Sequence, residues 1–259
     1  MCTLRISEKS VRALRDACED YGVSVFGSST FELIADPTCL RLLGDGTYGT
    51  CYLVVVSNSQ WVIKSVIDKT SCVQSLVTEI QALSALQGVP DLQKVIGICP
   101  WRLALITEYA GETLARYLET HKCTLSQRLQ IVRQVSHILL AVKERGWVHT
   151  DVKSDNICIQ STAIGIRTTL IDFGLATKIG GFISFTPGTV APSYMAPEVV
   201  KNRPLTSQAD VYSVGRLLQF LVKGNVHHLT RDVQRWMSHA TNPDPNQRYS
   251  LEVLSRLLH

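Results

Sequence analysis

The sequence predicts an α+β protein in two lobes, strand-rich first and helix-rich second. Three observations carry this expectation. Apolar and β-branched runs broken by turn residues fill the stretch from Leu40 to Tyr109. After Gly111, apolar residues recur at helical spacing. The two patterns are segregated, with a junction near Tyr109. The expected organisation is a helical extension over 1–38, a small lobe over 39–109 and a larger lobe over 110–259.

The elements follow in order. Ser7 to Tyr21 reads as a helix with Val11, Leu14, Cys18 and Tyr21 on one packing face. "LRLLGDGTYGTCYLVVV" is an apolar run, a glycine-rich turn and a β-branched run; "SNSQ" is a turn and "WVIKSVI" a third strand. A helix is expected from Val73 to Leu86, with Leu76, Ile80, Leu83 and Leu86 inward. "KVIGIC" and "RLALITEY" read as strands. Thr113 to Thr120 and Ser126 to Arg145 read as helices, "NICIQ" and "RTTLIDF" as short strands, and the chain from Asp210 onward is again helical.

Composition narrows the function. The 259 residues are 45% hydrophobic and 19% charged with a net charge of +4, an ordinary globular balance. Lys and Arg are scattered, so nucleic acid is not an expected partner. The eight cysteines form no C-x-x-C pair, which argues against zinc, and a chain of this length needs no disulfides, so a reducing compartment is expected. The start "MCTLRISEKS" lacks a signal-peptide core and residue 2 is Cys, not the Gly that myristoylation needs. No apolar run approaches the length of about 18 residues that spans a bilayer. The expectation is an intracellular protein, cytoplasmic or nuclear, with no membrane partner.

Three local features carry chemistry. "GDGTYGTC" places glycines at 44, 46 and 49 before a strand, which disfavours a dinucleotide fold and leaves two readings, a plain hairpin or a flap laying backbone N–H groups over phosphates. Lys64 sits inside the apolar strand "WVIKSV", where an ammonium is costly without a partner, and Glu79 on the next helix could supply one. "HTDVKSDN", from His149 to Asn156, packs two aspartates, a lysine and an asparagine into one short loop.

These features, with "DFG" at 172–174, "YMAPE" at 194–198, "DVYSVG" at 210–215 and Arg248, occur in a fixed order from about Leu40 to Leu258. Together they resemble the eukaryotic protein kinase family, and "DVK" after the catalytic position is similar to its serine/threonine class. The resemblance implies the bilobal kinase fold, with a mainly antiparallel β N-lobe bearing one main helix and a mainly helical C-lobe. It implies ATP and Mg2+ as cofactors and protein substrates as partners; oligomeric state is left open. Gly44, Gly46 and Gly49, with Asp45, Thr47 and Tyr48 between them, would cover the ATP phosphates. Lys64 would bind the α- and β-phosphates, held by Glu79. Asp151 would accept the substrate hydroxyl proton and Lys153 steady the γ-phosphate, while Asn156 and Asp172 hold magnesium. The Glu108 carbonyl and Ala110 amide would pair with adenine, Thr107 guard the back of its pocket, Cys51 and Val62 form the roof and Cys158 the floor. Glu112 could reach the ribose.

The chain departs from the family pattern in places. Thr150 replaces the arginine of the His-Arg-Asp motif, which implies a loop not switched by phosphorylation and ordered instead through Phe182, Ile183 and Phe185. Ala191 stands where a threonine is usual, and the stretch from Asp210 to Arg248 is short. Glu198 and Arg248 match a structural ion pair. Two other readings stand beside the kinase one: a pseudokinase-like nucleotide-binding scaffold, whose mark would be a lost Lys64, Asp151, Asn156 or Asp172, and a small-molecule phosphotransferase, against which "YMAPE" and Arg248 argue.

Overall fold

The computed structural model describes residues 6–46, 49–163, 165–185, 190 and 192–258. The chain forms two compact units, one of Met1–Gln87 and Gln93–Tyr109, the other of Gly88–Leu92 and Ala110–His259.

The first unit contains helices α1 (Glu8–Tyr21) and α2 (Ser28–Ile34), strands β1 (Arg41–Gly46), β2 (Gly49–Val56) and β3 (Ser59–Val66), helix α3 (Thr70–Ala85), and strands β4 (Val95–Cys99) and β5 (Ala104–Glu108). The five strands make one antiparallel sheet in the order β1-β2-β3-β5-β4. Ser57 and Asn58 join β2 to β3 at φ 47° and 68°, the positive angles that match a two-residue hairpin to sheet twist. One face of the sheet contributes Val66, Ile98 and Leu105 to a core with Leu76 and Ile80 of α3 and Leu14, Ala17 and Cys18 of α1. Leu14 is fully buried, so its truncation to Ala costs about 2–5 kcal/mol. The other face packs Val54, Ile63 and Ile106 on Phe31 of α2.

Residues 6–38 are therefore built into this unit. Residues 24–26 run alongside β4, with Phe26 N–H donating to the Ile98 carbonyl at 2.7 Å and Ile98 N–H to that of Ser24 at 2.9 Å. Gly97 permits this approach: a Cβ there would lie 2.4 Å from the Phe26 ring. Helix α2 was not expected from sequence, because "SSTFELI" buries only Phe31 and shows no helical apolar repeat.

The second unit contains β6 (Glu112–Thr113), α4 (Leu114–Thr120), α5 (Leu125–Glu144), β7 (Trp147–Val148), β8 (Ile157–Thr162), β9 (Gly165–Leu170), β10 (Thr177–Lys178), α6 (Pro197–Val200), α7 (Gln208–Leu221), α8 (Arg231–Ala240) and α9 (Leu251–Leu257). The 20-residue α5 starts at a capping box in which Thr124 and Gln127 satisfy each other's amides. It buries Ile131, Val135, Leu139 and Val142. Helix α7 is buried along much of its length, from Ala209 to Leu221. Two small sheets, β6-β8-β9 and β10-β7, lie in this helical unit. Among the described residues no helix is long and apolar enough to cross a membrane.

Candidate active site

The sheet unit places four of the expected cofactor residues on one face. In the ladder Cys51 pairs with Lys64 and Lys64 with Leu105, while Leu53 pairs with Val62 and Val62 with Thr107. Directly opposed residues share a face, and residues two apart along a strand share it too. Cys51, Val62, Lys64 and Thr107 thus line one surface; Thr107 is buried, the others half-buried. Lys64 Nζ lies 2.8 Å from Glu79 Oε2, and the Glu79 side chain is fully buried while that of Lys64 is 16% exposed. Glu108 ends β5 with its side chain turned to Lys94 at 3.1 Å, and Ala110 opens the second unit.

The glycines of the loop differ in what requires them. Gly49 has φ 156°, and a Cβ there would lie 2.0 Å from the Ser65 carbonyl oxygen, so the sheet itself demands glycine. At Gly44 an added Cβ meets nothing within 4 Å, and at Gly46 only the Gly49 carbonyl at 3.8 Å. Packing does not require glycine at those two positions. Open space over bare backbone fits a ligand that approaches the amides closely. Asp45 is held across the hairpin by Thr50 Oγ1 at 2.8 Å. Thr47 and Tyr48 lie outside the described residues.

The helical unit arranges the loop from His149 to Asn156 around Asp151. Asp151 is buried, and its Oδ2 accepts from Lys153 Nζ and from Asn156 Nδ2, each at 2.8 Å. Asn156 Nδ2 also donates to the Asp151 carbonyl at 2.8 Å. With its amide nitrogen so committed, Asn156 presents Oδ1 as a hard oxygen donor. At its open end the hairpin of β8 and β9 sets Ile157 opposite Leu170, and Ile171 N–H donates to the Asn156 carbonyl at 2.9 Å. That brings Asn156 and Asp172 to the same end of one hairpin. Asp172 has φ 62°, and its Oδ1 accepts from Gly174 N–H at 3.3 Å. Among the described residues no group of three or more His, Cys, Asp or Glu could hold a metal ion. One carboxylate and one amide oxygen are instead the partial set that suits magnesium completing its shell with phosphate oxygens and water.

Positioning groups surround the loop. His149 is buried, its Nδ1 accepting from Asp151 N–H at 3.3 Å and its Nε2 facing the Ile171 carbonyl at 3.1 Å, a pattern met by the Nε2–H tautomer. Its ring meets Phe173 edge-on at 4.5 Å. Asp210, buried in the first turn of α7, accepts from His149 N–H at 2.9 Å and Thr150 N–H at 2.8 Å. Burial pushes the Asp210 carboxyl up, against the pull of those donors. For Lys153 burial opposes the charge, but Asp151 outweighs it and holds the ammonium above its ordinary value. Lys153 Nζ also donates to Tyr194 Oη at 3.3 Å and lies 5.5 Å from that ring's centroid. Burial, then the Asp151 charge, push the Tyr194 phenol up.

Sequence reasoning gave no role to Tyr194 or to Asp210. Each opens a motif noted in the sequence, "YMAPE" or "DVYSVG", but acts on a loop dozens of residues away, which the motif does not reveal. Cys158 is buried between Thr113 and Thr169 in the β6-β8-β9 sheet. Glu112 faces Thr120 Oγ1 at 3.5 Å and His121 Nδ1 at 3.6 Å. Of the three apolar residues expected to order the later loop, Ile183 and Phe185 pack against Met195, Val199 and Leu205. Phe182 does not; it is 62% exposed. Ala191 lies outside the described residues.

Comparison with known proteins agrees with this geometry. The model for the protein kinase domain matches residues 38–254. A CTD kinase subunit alpha homologue of Encephalitozoon cuniculi is 27% identical over 195 residues, covering 72% of this chain and 57% of that protein. The serine/threonine-protein kinase dkf-2 of Caenorhabditis briggsae is 28% identical over 76% of this chain, and calcium-dependent protein kinase 10 of Oryza sativa subsp. japonica is 28% identical over 71%. The aligned part spans 17% and 32% of those two proteins. With the family model matched from the first strand to the last helix, the chain belongs to the protein kinase family.

Proposed function

We propose that this chain is an ATP- and magnesium-dependent protein kinase that transfers the γ-phosphate to serine or threonine hydroxyls of protein substrates. The observation that carries the reading is Asp151, a buried carboxylate held on one oxygen by both Lys153 and Asn156. A carboxylate oriented in this way is fit to take the proton of an acceptor hydroxyl as the new oxygen–phosphorus bond forms, a role contributing on the order of 10²–10⁴-fold. Lys153 balances the charge of Asp151 in the resting site and steadies the transferred group. Lys64, oriented by Glu79, anchors the α- and β-phosphates. Asn156 Oδ1 and Asp172 hold magnesium, which when bound neutralises the phosphate oxygens. Gly44 and Gly46 give those phosphates bare backbone, and Cys51, Val62 and Thr107 give adenine one apolar wall.

The test is transfer from labelled ATP to generic protein substrates, with phosphoamino-acid analysis, beside an Asp151→Asn control. Phosphoserine and phosphothreonine are expected with the parent protein and a loss of at least about a hundredfold with the control. Nucleotide binding without transfer would make the chain a nucleotide-binding scaffold instead, and phosphotyrosine would overturn the acceptor assignment.

A further inference from the structure

Packing alone does not account for Thr150. It is fully buried, and its backbone lies at φ 71°, in the left-handed region. Among the described residues it is the one β-branched side chain there; the other non-glycine residues at positive φ are Ser57, Asn58, Asp91, Leu103, Asp172 and Asn202. A β-branched residue in this region is strained, and such strain persists only where the surroundings over-determine it. The surroundings do. Thr150 N–H donates to Asp210 Oδ1 at 2.8 Å, and Thr150 Oγ1 donates to the Leu175 carbonyl at 2.8 Å.

Leu175 directly follows the Asp172–Gly174 turn, and the chain beyond it is zipped to the strand leading into the catalytic loop. Thr177 pairs with Val148 and Lys178 with Trp147, and Ile179 N–H donates to the Gly146 carbonyl at 2.8 Å. Gly180 N–H then donates to the Leu205 carbonyl and Leu205 N–H to that of Gly181, each at 2.8 Å. Phe185 N–H donates to Asn202 Oδ1 at 3.0 Å. Among the described residues, no ion pair reaches the segment from Leu175 to Phe185. Its anchorage is neutral throughout, and the Thr150 hydroxyl is the rung next to Asp151.

We propose that Thr150 is a positioning residue. Its hydroxyl fastens the turn after Asp172 to the loop that carries Asp151, so the segment is held in its working position with no phosphate on it. This rests on the kinase reading above, and it adds how the site is kept ordered.

The test uses purified full chain treated with phosphatase. Thr150→Val keeps the shape and removes the donor; Thr150→Ser keeps the donor and removes a methyl. Turnover, KM for ATP and hydrogen exchange of the 173–180 peptide are measured for each. The valine variant is expected to lose about tenfold in turnover, with KM for ATP within about twofold, and to exchange about tenfold faster in that peptide; serine restores both. Where the valine variant does not fold, Thr150→Cys, smaller and a poor donor, serves in its place. Parent-like turnover and exchange without the hydroxyl overturn the proposal, as does a serine variant as impaired as valine. A tenfold or larger loss when phosphatase is applied to the parent protein overturns it too. If the parent transfers no phosphate at all, the kinase reading fails while the exchange measurement still decides whether Thr150 tethers the segment.

Discussion

Two buried ion pairs, one in each unit, differ in what surrounds them. Lys64 and Glu79 meet at 2.8 Å, and the lysine side chain stays 16% exposed. Arg248 and Glu198 meet through two contacts, at 2.6 and 2.8 Å, with the arginine side chain fully enclosed. Arg248 spends all its donors inside the protein: Nε on the Asn242 carbonyl, Nη1 on Glu198 and the Gln208 carbonyl, Nη2 on Glu198 and the Pro243 carbonyl. Its guanidinium also lies 5.0 Å from the centre of the Tyr212 ring. A cation so saturated can hold structure together and cannot take a ligand. Lys64, on a sheet face with part of its surface in solvent, can take an anion. The comparison teaches that access to solvent separates a fold-holding charge from a working one.

The largest expected effect tests the working side. Lys64→Met should lower kcat/KM by at least about a hundredfold, the scale for losing a preorganised charge at a reacting group. Asp172→Ala should do the same. Initial rates at saturating magnesium decide it, and near-normal turnover in either variant would break the comparison at its functional end.

The fold-holding side comes next. Arg248→Ala leaves Glu198 buried and uncompensated, at a cost of about 3–5 kcal/mol. For a chain of this size that is a fall in melting temperature of roughly 6–20 °C. The fall should exceed that of Lys64→Met, because Arg248→Ala also strips the Asn242, Gln208 and Pro243 carbonyls of their donor. A Lys64→Met protein melting below Arg248→Ala would reverse the order and put the first pair among the fold-holding ones.

How much of this was legible in the sequence follows from distance along the chain. The loop from His149 to Asn156 was legible because its chemistry lies within eight residues, and the pairing of Lys64 with Glu79 because an ammonium in an apolar strand demands a carboxylate on the next helix. Helix α5 was expected from Ser126 to Arg145 on its patterning, and the Thr124–Gln127 capping box that fixes its start at Leu125 came from the structure. What escaped was non-local. The Lys153–Tyr194 contact spans 41 residues, and the Asp210 carboxylate reaches back 60 to Thr150. The docking of residues 24–26 on β4 hinges on a glycine at 97 that no local pattern explains. Phe182 was misplaced because an apolar side chain alone does not say that a partner exists.

Reactivity of the thiols sharpens the placement of the Lys64 face. Cys51 is half-buried beside Lys64 in the ladder, whereas burial pushes the Cys18 thiol up to about 11 and raises that of Cys99. An adenine-shaped electrophile should label Cys51, and saturating ATP should slow that labelling. Exposed Cys39 should react without regard to ATP, and Cys18 and Cys99 should not react, because the thiolate is the nucleophile. Peptide mass mapping gives the rates; Cys51 labelling that ignores ATP would remove that residue from the nucleotide surface.

The smallest effect belongs to a third ion pair, which marks the far end of the same scale. Lys143 of α5 meets Glu252 of α9 at 2.7 Å, but the two side chains are 41% and 45% exposed. The hydrogen bond from Lys143 holds the Glu252 carboxyl down at about 2. A carboxyl whose folded value lies below its unfolded one adds stability above the unfolded value, and that stability is lost as pH falls through the folded one. The window here therefore runs from about 4.5 down to about 2. Water and salt screen so open a pair, so its contribution is about 0–1 kcal/mol, well under what the shift alone would suggest. Lys143→Met should lower the urea midpoint slightly at pH 7 in low salt. The gap from the parent should shrink in 1 M salt, where the screening length is about 3 Å, and shrink again as pH drops below about 4.5. A gap of about 3 kcal/mol or more at pH 7 would put this exposed pair in the class of Arg248 and Glu198, and exposure would then no longer rank the three.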